Sequence, residues 1–285
     1  MKKILYLIIP LLCCLTPFDT NAQNDTINTL RPVNAAYTVN IGSAHHADTY
    51  LSPLKYSGWA VGFGYQRRQA MAFAPERWIQ QITFDIDVDR TENIVKNATM
   101  WYAGIDFSYA MLRRWQLPDG FSIGIGPAIA LNAGCLYLDR NGNNPASAKV
   151  AITANAEGYA AWNGSFFKIP VTLRYNASMP LTGAFFSPDY GELYYEIYLG
   201  NHSGLCHWAW PGNYFRLRNL LTADINFGGT SLRIGYRGDI FSSKVNDIVT
   251  RTFTHCAVIG LSGEWISVNP KKKISPDAKM ISATY

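Results

Sequence analysis

The chain has 285 residues, of which 16% are charged, 14% aromatic and 48% apolar. The charged fraction lies well below the usual quarter of a soluble protein. The formal net charge of +5 falls to +4 without residues 1–22, which hold two lysines and one aspartate. The C-terminal tail, with four lysines and one aspartate, carries +3 of this charge, so the rest of the chain is close to neutral and gives no basis for nucleic-acid binding. Three cysteines follow residue 22 without C-x-x-C spacing, so the sequence indicates neither a disulfide framework nor a zinc site.

The N-terminus has the features of a secretory signal. Two lysines at positions 2 and 3 precede an apolar core over residues 4–15 and a small-residue cleavage site that ends at Ala22. The core is too short to span a membrane comfortably. The residues before the two cysteines of this segment do not fit a lipobox, which argues against a lipoprotein. We therefore predict a cleaved signal peptide over residues 1–22 and a polar leader over residues 23–32.

The clearest pattern in the chain is W-I-Q-Q-I-T-F-D-I-D-V-D over residues 78–89. From Gln81 to Asp89 every second residue is polar or acidic, and the residues between them are apolar. Side chains on a strand alternate between its two faces, so this segment has one apolar and one charged face. The pattern recurs along the chain in segments longer than the usual strand of about five or six residues. Such lengths suit strands that cross a membrane at a tilt.

We predict an all-β fold: a single transmembrane antiparallel up-and-down β-barrel of about 12 strands, with 10 strands as the main alternative. It extends over residues 33–266, and a basic periplasmic tail follows over residues 267–285. The predicted strands cover residues 33–43, 58–68, 78–89, 99–113, 121–137, 149–161, 167–176, 181–186, 192–199, 221–227, 232–237 and 251–266.

The count of 12 agrees with the lengths of the connections. If the N-terminus lies in the periplasm, the periplasmic turns are short, as outer-membrane barrels require. The longer connections, residues 44–57, 138–148 and 200–218, then lie outside.

Charged residues of both signs fall on the polar faces of the predicted strands. Opposite charges that point into one barrel can pair across it and narrow its bore. We therefore expect a charged, partly plugged lumen, whereas the alternative is a lining that selects ions. The predicted lumen-lining residues are Asp85, Asp87, Asp106, Glu157, Lys168, Arg174, Glu196, Asp224, Arg233, Arg237 and Glu264.

Aromatic residues suggest two different roles. Most tryptophans lie toward the ends of predicted strands, which is typical of the aromatic belts at membrane interfaces. The long outer loop differs, because it holds His202, His207, Trp208 and Trp210 in one unpatterned stretch. These four residues are candidates for a ligand site, and the alternative is that they fold the loop over the barrel mouth.

Catalysis has one candidate pair, His202 and Ser203. Their side chains would point in opposite directions on a regular strand, and no acid lies beside them. His255 on the last strand has the outward phase, and His45, His46 and Asp48 form a doubtful metal pattern, because adjacent histidines rarely chelate together. We expect no catalytic residue, no metal site and no cofactor.

Two segments carry a resemblance to a known family. They are residues 49–58, T-Y-L-S-P-L-K-Y-S-G, and residues 235–247, which include G-Y-R-G-D-I and V-N-D. In these motifs the chain resembles uncharacterised outer-membrane proteins of Gram-negative bacteria that are known only as a domain of unknown function. The resemblance covers most of the mature chain and implies a barrel in the outer membrane. It implies no catalytic residues.

The sequence thus predicts an exported outer-membrane protein without enzymatic activity, either a small channel or a structural or binding barrel. The expected partners are outer-membrane lipids, the barrel-assembly machinery during insertion and a small solute. The alternative is an outer-membrane lipid-modifying hydrolase that uses a His/Ser pair. A secreted soluble β-protein is a third hypothesis, which the many two-faced strands disfavour.

Overall fold

The computed structural model describes residues 26–268 and 273–284 of the chain. The predicted signal peptide, residues 1–22, lies outside the described residues. The described residues form thirteen strands, one turn of 3-10 helix (Pro118–Gly120) and one short helix, α1 (Tyr194–Tyr198). The strands are β1 (Thr26–Leu30), β2 (Val33–Asp48), β3 (Ser52–Ala70), β4 (Trp78–Asn93), β5 (Thr99–Gln116), β6 (Phe121–Leu138), β7 (Ala146–Phe166), β8 (Ile169–Phe186), β9 (Cys206–Ala209), β10 (Tyr214–Asn226), β11 (Thr230–Val245), β12 (Ile248–Trp265) and β13 (Lys273–Met280).

The chain divides into two units. In the first, β1 and β13 form a two-stranded parallel sheet in which Thr26 pairs with Lys273 and Leu30 with Met280. The second unit comprises residues 31–267 and 281–284 and is the barrel. Each barrel strand pairs antiparallel with its neighbours in the chain, and β12 closes the ring by pairing with β2. Such closure leaves no free sheet edge within the ring.

The barrel has ten strands, so the predicted count of 12 is wrong and the alternative of 10 is confirmed. The ring consists of β2 to β8 and β10 to β12. Strand β8 pairs with β10 over residues 171–178 and with β9 over residues 183–186, so that β9 and β10 share one place in the ring.

Two local features explain the overestimate. The segments 167–176 and 181–186, predicted as two strands, belong to β8, apart from residues 167 and 168, which form the turn before it. A bulge at Leu181, between Pro180 and Thr182, shifts the pairing with β7 and reverses the inward and outward phase. The predicted strand over residues 192–199 contains α1, where the backbone N–H of Leu193 donates to Glu196 Oε2 at 3.1 Å.

The connections at the two ends of the barrel differ in length. At the end where β2 begins and β12 ends, here called the near end, the turns are short, as predicted. At the opposite, far end, the connection over residues 187–213 is the long one. The predicted outer loop over residues 44–57 is largely strand, with a turn at residues 49–51. In place of the loop predicted over residues 138–148, the structure has a shorter loop over residues 139–145.

The outward face of the barrel is apolar around its middle. Side chains such as Ile41, Phe63, Ile86 and Ile129 are exposed there. Tryptophan and other aromatic side chains are exposed toward both ends, which is the arrangement of a wall that faces lipid between two aqueous interfaces. Exposed aromatic side chains are Trp59, Trp101 and Tyr137 toward the far end and Trp115, Phe121 and Trp265 toward the near end.

No helix in the described part of the chain is long and apolar enough to cross a membrane.

The outward phase of β4 can be tested with one cation. Ile86→Arg should destabilise the inserted barrel by about 2–4 kcal/mol, the cost of Arg on the lipid face near mid-membrane. Ile94→Arg is the matched control, because Ile94 is almost fully exposed in the loop that follows β4. Denaturant unfolding in lipid vesicles measures the free energy of unfolding of both variants. Equal effects of the two substitutions would contradict the assignment of the wall.

Candidate functional site

Two cavities lined by described residues lie in the lumen, one toward each end of the barrel. The outer chamber lies toward the far end and includes His46, Asp89 and Phe241 in its lining, and the inner chamber includes Gln81 and Glu157. Measured as the space open to the centre of a water-sized sphere, their volumes are about 60 Å³ and 90 Å³. Each can hold several water molecules, since one needs roughly 10–15 Å³ by this measure.

A cluster of ion pairs separates the two chambers, and we call it the partition. Its centre is Arg216 on β10. The guanidinium of Arg216 donates to both oxygens of Asp106, at 2.6 and 2.9 Å, and to Asp239 at 2.6 and 3.0 Å. Arg216 lines both chambers, as do Asn132, Tyr214 and Arg237. Bidentate pairs of this kind fix geometry as well as charge.

Two further arginines extend the partition across the bore. Arg218 donates to Asp85 Oδ2 at 2.7 Å, and Arg237 bonds Asp85 at 3.4 Å and also Asp87. The two carboxylates come from β4, which lies across the ring from the adjacent strands β10 and β11 that carry the arginines. The ion pairs therefore connect opposite walls of the lumen at mid-height.

Smaller polar pairs lie above the partition, beside the outer chamber. His46 Nε2 lies 2.9 Å from Asp89 Oδ2, and Lys149 Nζ lies 2.6 Å from Asp48 Oδ2. Thr250 shares the same carboxylate of Asp48, at 3.2 Å. Aromatic rings line the same chamber. The ring of Tyr214 contacts those of Phe185 and Phe241, in tilted and edge-to-face geometry respectively.

The near end of the lumen is filled by residues 281–284. Ala283 is buried against inward side chains that include Ile79 and Leu112. Arg114 donates to the carbonyl oxygen of Ser282 at 2.6 Å, and Asn163 donates to that of Thr284 at 2.7 Å. This segment, here called the plug, closes the lumen below the inner chamber.

The long loop over residues 187–213, here called the lid, crosses the far end. Tyr50 Oη donates to the carbonyl oxygen of Glu192 at 2.6 Å, and Tyr194 Oη accepts the backbone N–H of Ala148 at 2.7 Å. Asn246 approaches the lid from the β11–β12 turn, 3.4 Å from the carbonyl oxygen of Pro188. Burial raises the pKa of both tyrosines above the ordinary value of 10.0, so both are protonated at neutral pH.

Most of the predicted lumen residues lie on the inner face of the wall. Asp85, Asp87, Asp106 and Arg237 are members of the partition. The inward residues nearer the plug are Glu157, Arg174, Asp224, Arg233 and Glu264.

Two predicted lumen residues lie elsewhere. Lys168 occupies the tight near-end turn between β7 and β8, where its φ is 69°. Glu196 belongs to α1 in the lid, where it accepts a backbone hydrogen bond. Neither residue contributes to the lumen.

The sequence prediction missed several lumen residues, above all Arg216, Arg218 and Asp239. Arg216 and Arg218 lie in the stretch predicted as an unpatterned loop, although Leu217 and Arg218 continue the alternation of the strand that follows. Asp239 lies just beyond the predicted end of a strand. Arg68 and His46 also extend the inward series of their strands.

The four residues of the predicted ligand site on the long loop do not converge. The ring of His207 faces inward, 5.6 Å from that of Phe185, and its Nε2 lies 3.0 Å from the carbonyl oxygen of Ser187. Trp208 pairs in register with Ala184 on the outward face of the wall, and Trp210 is likewise exposed. His202 is exposed in the lid.

The candidate catalytic pair is not assembled in the described residues. Ser203 Oγ donates to Asn201 Oδ1 at 3.2 Å and makes no hydrogen bond to His202. His255 faces the outside of the wall, where it contacts Tyr236 and Phe253.

The candidate metal pattern is divided between the two faces of β2. His45 bonds Ser57 on the outward face at 2.8 Å, whereas His46 bonds Asp89 in the lumen. Residues 26–268 and 273–284 contain no group of three His, Cys, Asp or Glu side chains that could hold a metal ion.

An antiparallel ring of ten long strands with an apolar, aromatic-girdled outer wall and a polar interior defines a transmembrane β-barrel of the outer-membrane type. The chain belongs to the family described as "Protein of unknown function (DUF3316)", whose model matches residues 5–272. This result confirms the predicted membership of an uncharacterised outer-membrane barrel family. No curated protein matches the chain.

Solved structures of other barrels are similar to the chain at low sequence identity. The outer membrane protease OmpT from Escherichia coli is 6% identical, with a TM-score of 0.49 over 82% of this chain and 97% of the protease. The β-domain of the Bordetella autotransporter BrkA is 8% identical, with a TM-score of 0.35 over 83% and 100%. The translocator domain of NalP from Neisseria meningitidis is 12% identical, with a TM-score of 0.35 over 83% and 89%.

The ion pairs of the partition should matter far more than those on the surface. Arg216→Met should lower the free energy of unfolding by about 3–5 kcal/mol, because it removes the short ion pairs of Asp106 and Asp239 and leaves Arg218, at 4.0 and 3.5 Å, as their nearest cation. Arg90→Met is the matched control, since Arg90 pairs with Glu92 at 2.7 Å with both side chains about one-third exposed. Loss of this exposed ion pair should lower the free energy of unfolding by no more than about 1 kcal/mol.

Denaturant unfolding in detergent measures both variants. A cost for Arg216→Met as small as that for Arg90→Met would show that the partition is not formed.

Proposed function

We propose that the chain is exported by a signal peptide that is cleaved after residue 22 and acts in the outer membrane as a non-enzymatic binding barrel. In this proposal the lumen conducts no ions at rest, and a small solute enters the outer chamber from outside. Outer-membrane lipids surround the wall, and the barrel-assembly machinery inserts it. The basic tail lies on the periplasmic side.

The observation that carries this proposal is the interruption of the lumen at three levels. The lid crosses the far end, the partition crosses the middle and the plug fills the near end. Buried ion pairs with bidentate geometry do not part without leaving charges unpaired in a poorly solvated space. A hydrated ion would have to separate several such pairs to pass, which favours a closed barrel over a small channel.

The composition of the outer chamber supports a binding role. One side is aromatic, from Phe185, Tyr214 and Phe241, and the other carries hydroxyl and charged groups, among them Thr250 and Lys149. Binding sites for small molecules typically combine apolar walls with a few polar groups that orient the ligand. Outside β9, the lid is held to the barrel by individual hydrogen bonds and by the ring contacts of Tyr194, and loops held in this way open at a small free-energy cost.

Planar-bilayer recording tests whether the lumen is closed. The purified wild-type protein should show no steady conductance. A variant that combines Asp106→Ala, Arg216→Ala and deletion of residues 281–285 should conduct, because it removes both members of a central ion pair and the plug. Removing both members keeps the charge balance of the partition.

The matched control for this experiment is Arg90→Ala with Glu92→Ala, which removes an exposed ion pair and should leave the barrel silent. Steady conductance of the wild-type protein at the level of an open pore would overturn the proposal in favour of a channel.

Thiol labelling tests whether the outer chamber admits small solutes. In a background with Cys135, Cys206 and Cys256 changed to alanine, Ser243→Cys places a thiol in the outer chamber and Thr153→Cys places one in the inner chamber. N-ethylmaleimide should modify the thiol of Ser243→Cys and leave that of Thr153→Cys unmodified, because the partition lies between the two chambers.

A polymer-linked maleimide should modify neither thiol, because the lid admits only small molecules. Equal labelling of the two thiols by N-ethylmaleimide, or no labelling of Ser243→Cys, would contradict the proposed access.

A further inference from the structure

Three arginines are buried in the wall beside the inner chamber. Arg68, Arg174 and Arg233 are each only 1% exposed, and they lie close enough to interact electrostatically. The carboxylates near them are Asp224 and Glu157. This part of the lumen therefore holds three cations and two carboxylates.

The carboxylates are already engaged by other groups. Asp224 accepts two hydrogen bonds of 2.6 Å from Arg233. Glu157 accepts hydrogen bonds from Ser108, at 3.2 Å, and from Gln81.

The other two arginines make no ion pair with a carboxylate in the described part of the chain. Arg68 donates to the amide oxygen of Gln81 at 2.8 Å and to that of Gln66. The nitrogens Nε, Nη1 and Nη2 of Arg174 have no hydrogen-bond partner among the described residues. Its guanidinium lies over the ring of Tyr159, with 4.6 Å from Cζ to the ring centroid. A ring face attracts a cation but accepts none of its hydrogen bonds in the plane of the guanidinium.

The side chains around Arg174 lack partners as well. Tyr159 Oη, both amide atoms of Asn176 and Thr222 Oγ1 are buried without a hydrogen bond among the described residues. The strand register brings them together, because Arg174 pairs with Thr222 and Asn176 pairs with Tyr159. Buried polar groups almost always have partners, so several orphans in one place indicate an absent species.

We propose that this cluster binds a small anion, either an inorganic ion or a free carboxylate, that Arg174 holds as its counter-ion. The hydroxyls of Tyr159 and Thr222 and the amide nitrogen of Asn176 complete the set of donors. Donors greatly outnumber acceptors in the cluster, since a guanidinium carries only donors and Asn176 Oδ1 is the one obligate acceptor. An anion satisfies several donors and neutralises the surplus cation, whereas water satisfies donors without compensating the charge.

Space for the anion lies next to the cluster. Asn176 and Glu157 line the inner chamber, whose volume is about 90 Å³. This site lies on the opposite side of the partition from the proposed solute-binding chamber, so neither proposal depends on the other.

Bromide is a suitable probe because its anomalous scattering locates it directly. Crystals of the full chain grown with sodium bromide as the only salt should show an anomalous peak within hydrogen-bonding distance of the Arg174 guanidinium. Peaks confined to exposed arginines and lysines would mean an adventitious ion only and would overturn the proposal. Crystals of wild-type protein suffice, so this result does not depend on whether a variant folds.

Thermal unfolding in detergent gives an independent test. At equal ionic strength, the wild-type protein should unfold at a higher temperature in sodium bromide than in sodium gluconate, whose anion is too bulky for the chamber. Arg174→Met should lose that difference. In gluconate it should be at least as stable as the wild type, because it removes an uncompensated charge.

Arg113→Met is the matched control, since Arg113 is exposed on the outside of β5 beside Trp115. It should keep the wild-type response to bromide. A wild-type protein equally stable in both salts, or an Arg174→Met variant that keeps the full bromide response, would show that Arg174 binds no anion.

Discussion

The charge pairing inside the lumen follows from a constraint on the wall. A strand that crosses a bilayer must place apolar side chains toward lipid, and its backbone groups must all be paired within the ring. Because side chains alternate, the polar and charged residues near the middle of such a strand point into the same narrow interior. In this barrel the interior residues of β4, β10 and β11 include Asp85, Arg216 and Asp239. Arg216 pairs with Asp239, and Asp85 pairs with Arg218 and Arg237, so each of these buried charges has a partner of opposite sign.

The position of the partition determines what the rest of the lumen can do. With Arg216 bonded to both Asp106 and Asp239, the space above and the space below become separate chambers. The outer chamber lies beneath a loop held by Tyr50 and Tyr194, and the inner chamber ends at Ala283 and its neighbours. Under the proposed function, the activity of the barrel depends on chemistry within each chamber and not on flow along the bore.

The wall was the part of the structure most open to prediction from sequence. Alternation over residues 81–89 identifies both faces of β4, and the structure pairs Asp85 and Asp87 with arginines in the lumen. The alternation of polar and apolar residues predicts the wrong structure where the backbone departs from a regular strand. The bulge at Leu181 reverses the phase of β8. In α1 an alternating sequence forms a helical turn, in which the Glu196 carboxylate accepts the backbone N–H of Leu193.

The partition was harder to predict, because ion pairing across a barrel joins residues that are far apart in the chain. Arg216 and Asp106 are 110 positions apart, and no local pattern relates them. The inward phase of Arg216 and Arg218 was present in the sequence, since Leu217 alternates with them. The unpatterned residues 200–213 just before them hide this signal, because they interrupt the alternation of the chain.

The central claim is that ion pairs seal the lumen at mid-height, and osmotic water permeability tests it most directly, because water is smaller than any other probe. Vesicles that contain the purified barrel should shrink after an osmotic step, followed by stopped-flow light scattering, at the rate of protein-free vesicles. A rate that rises in proportion to the amount of inserted protein would contradict the account, because it would mean that a continuous column of water crosses the partition.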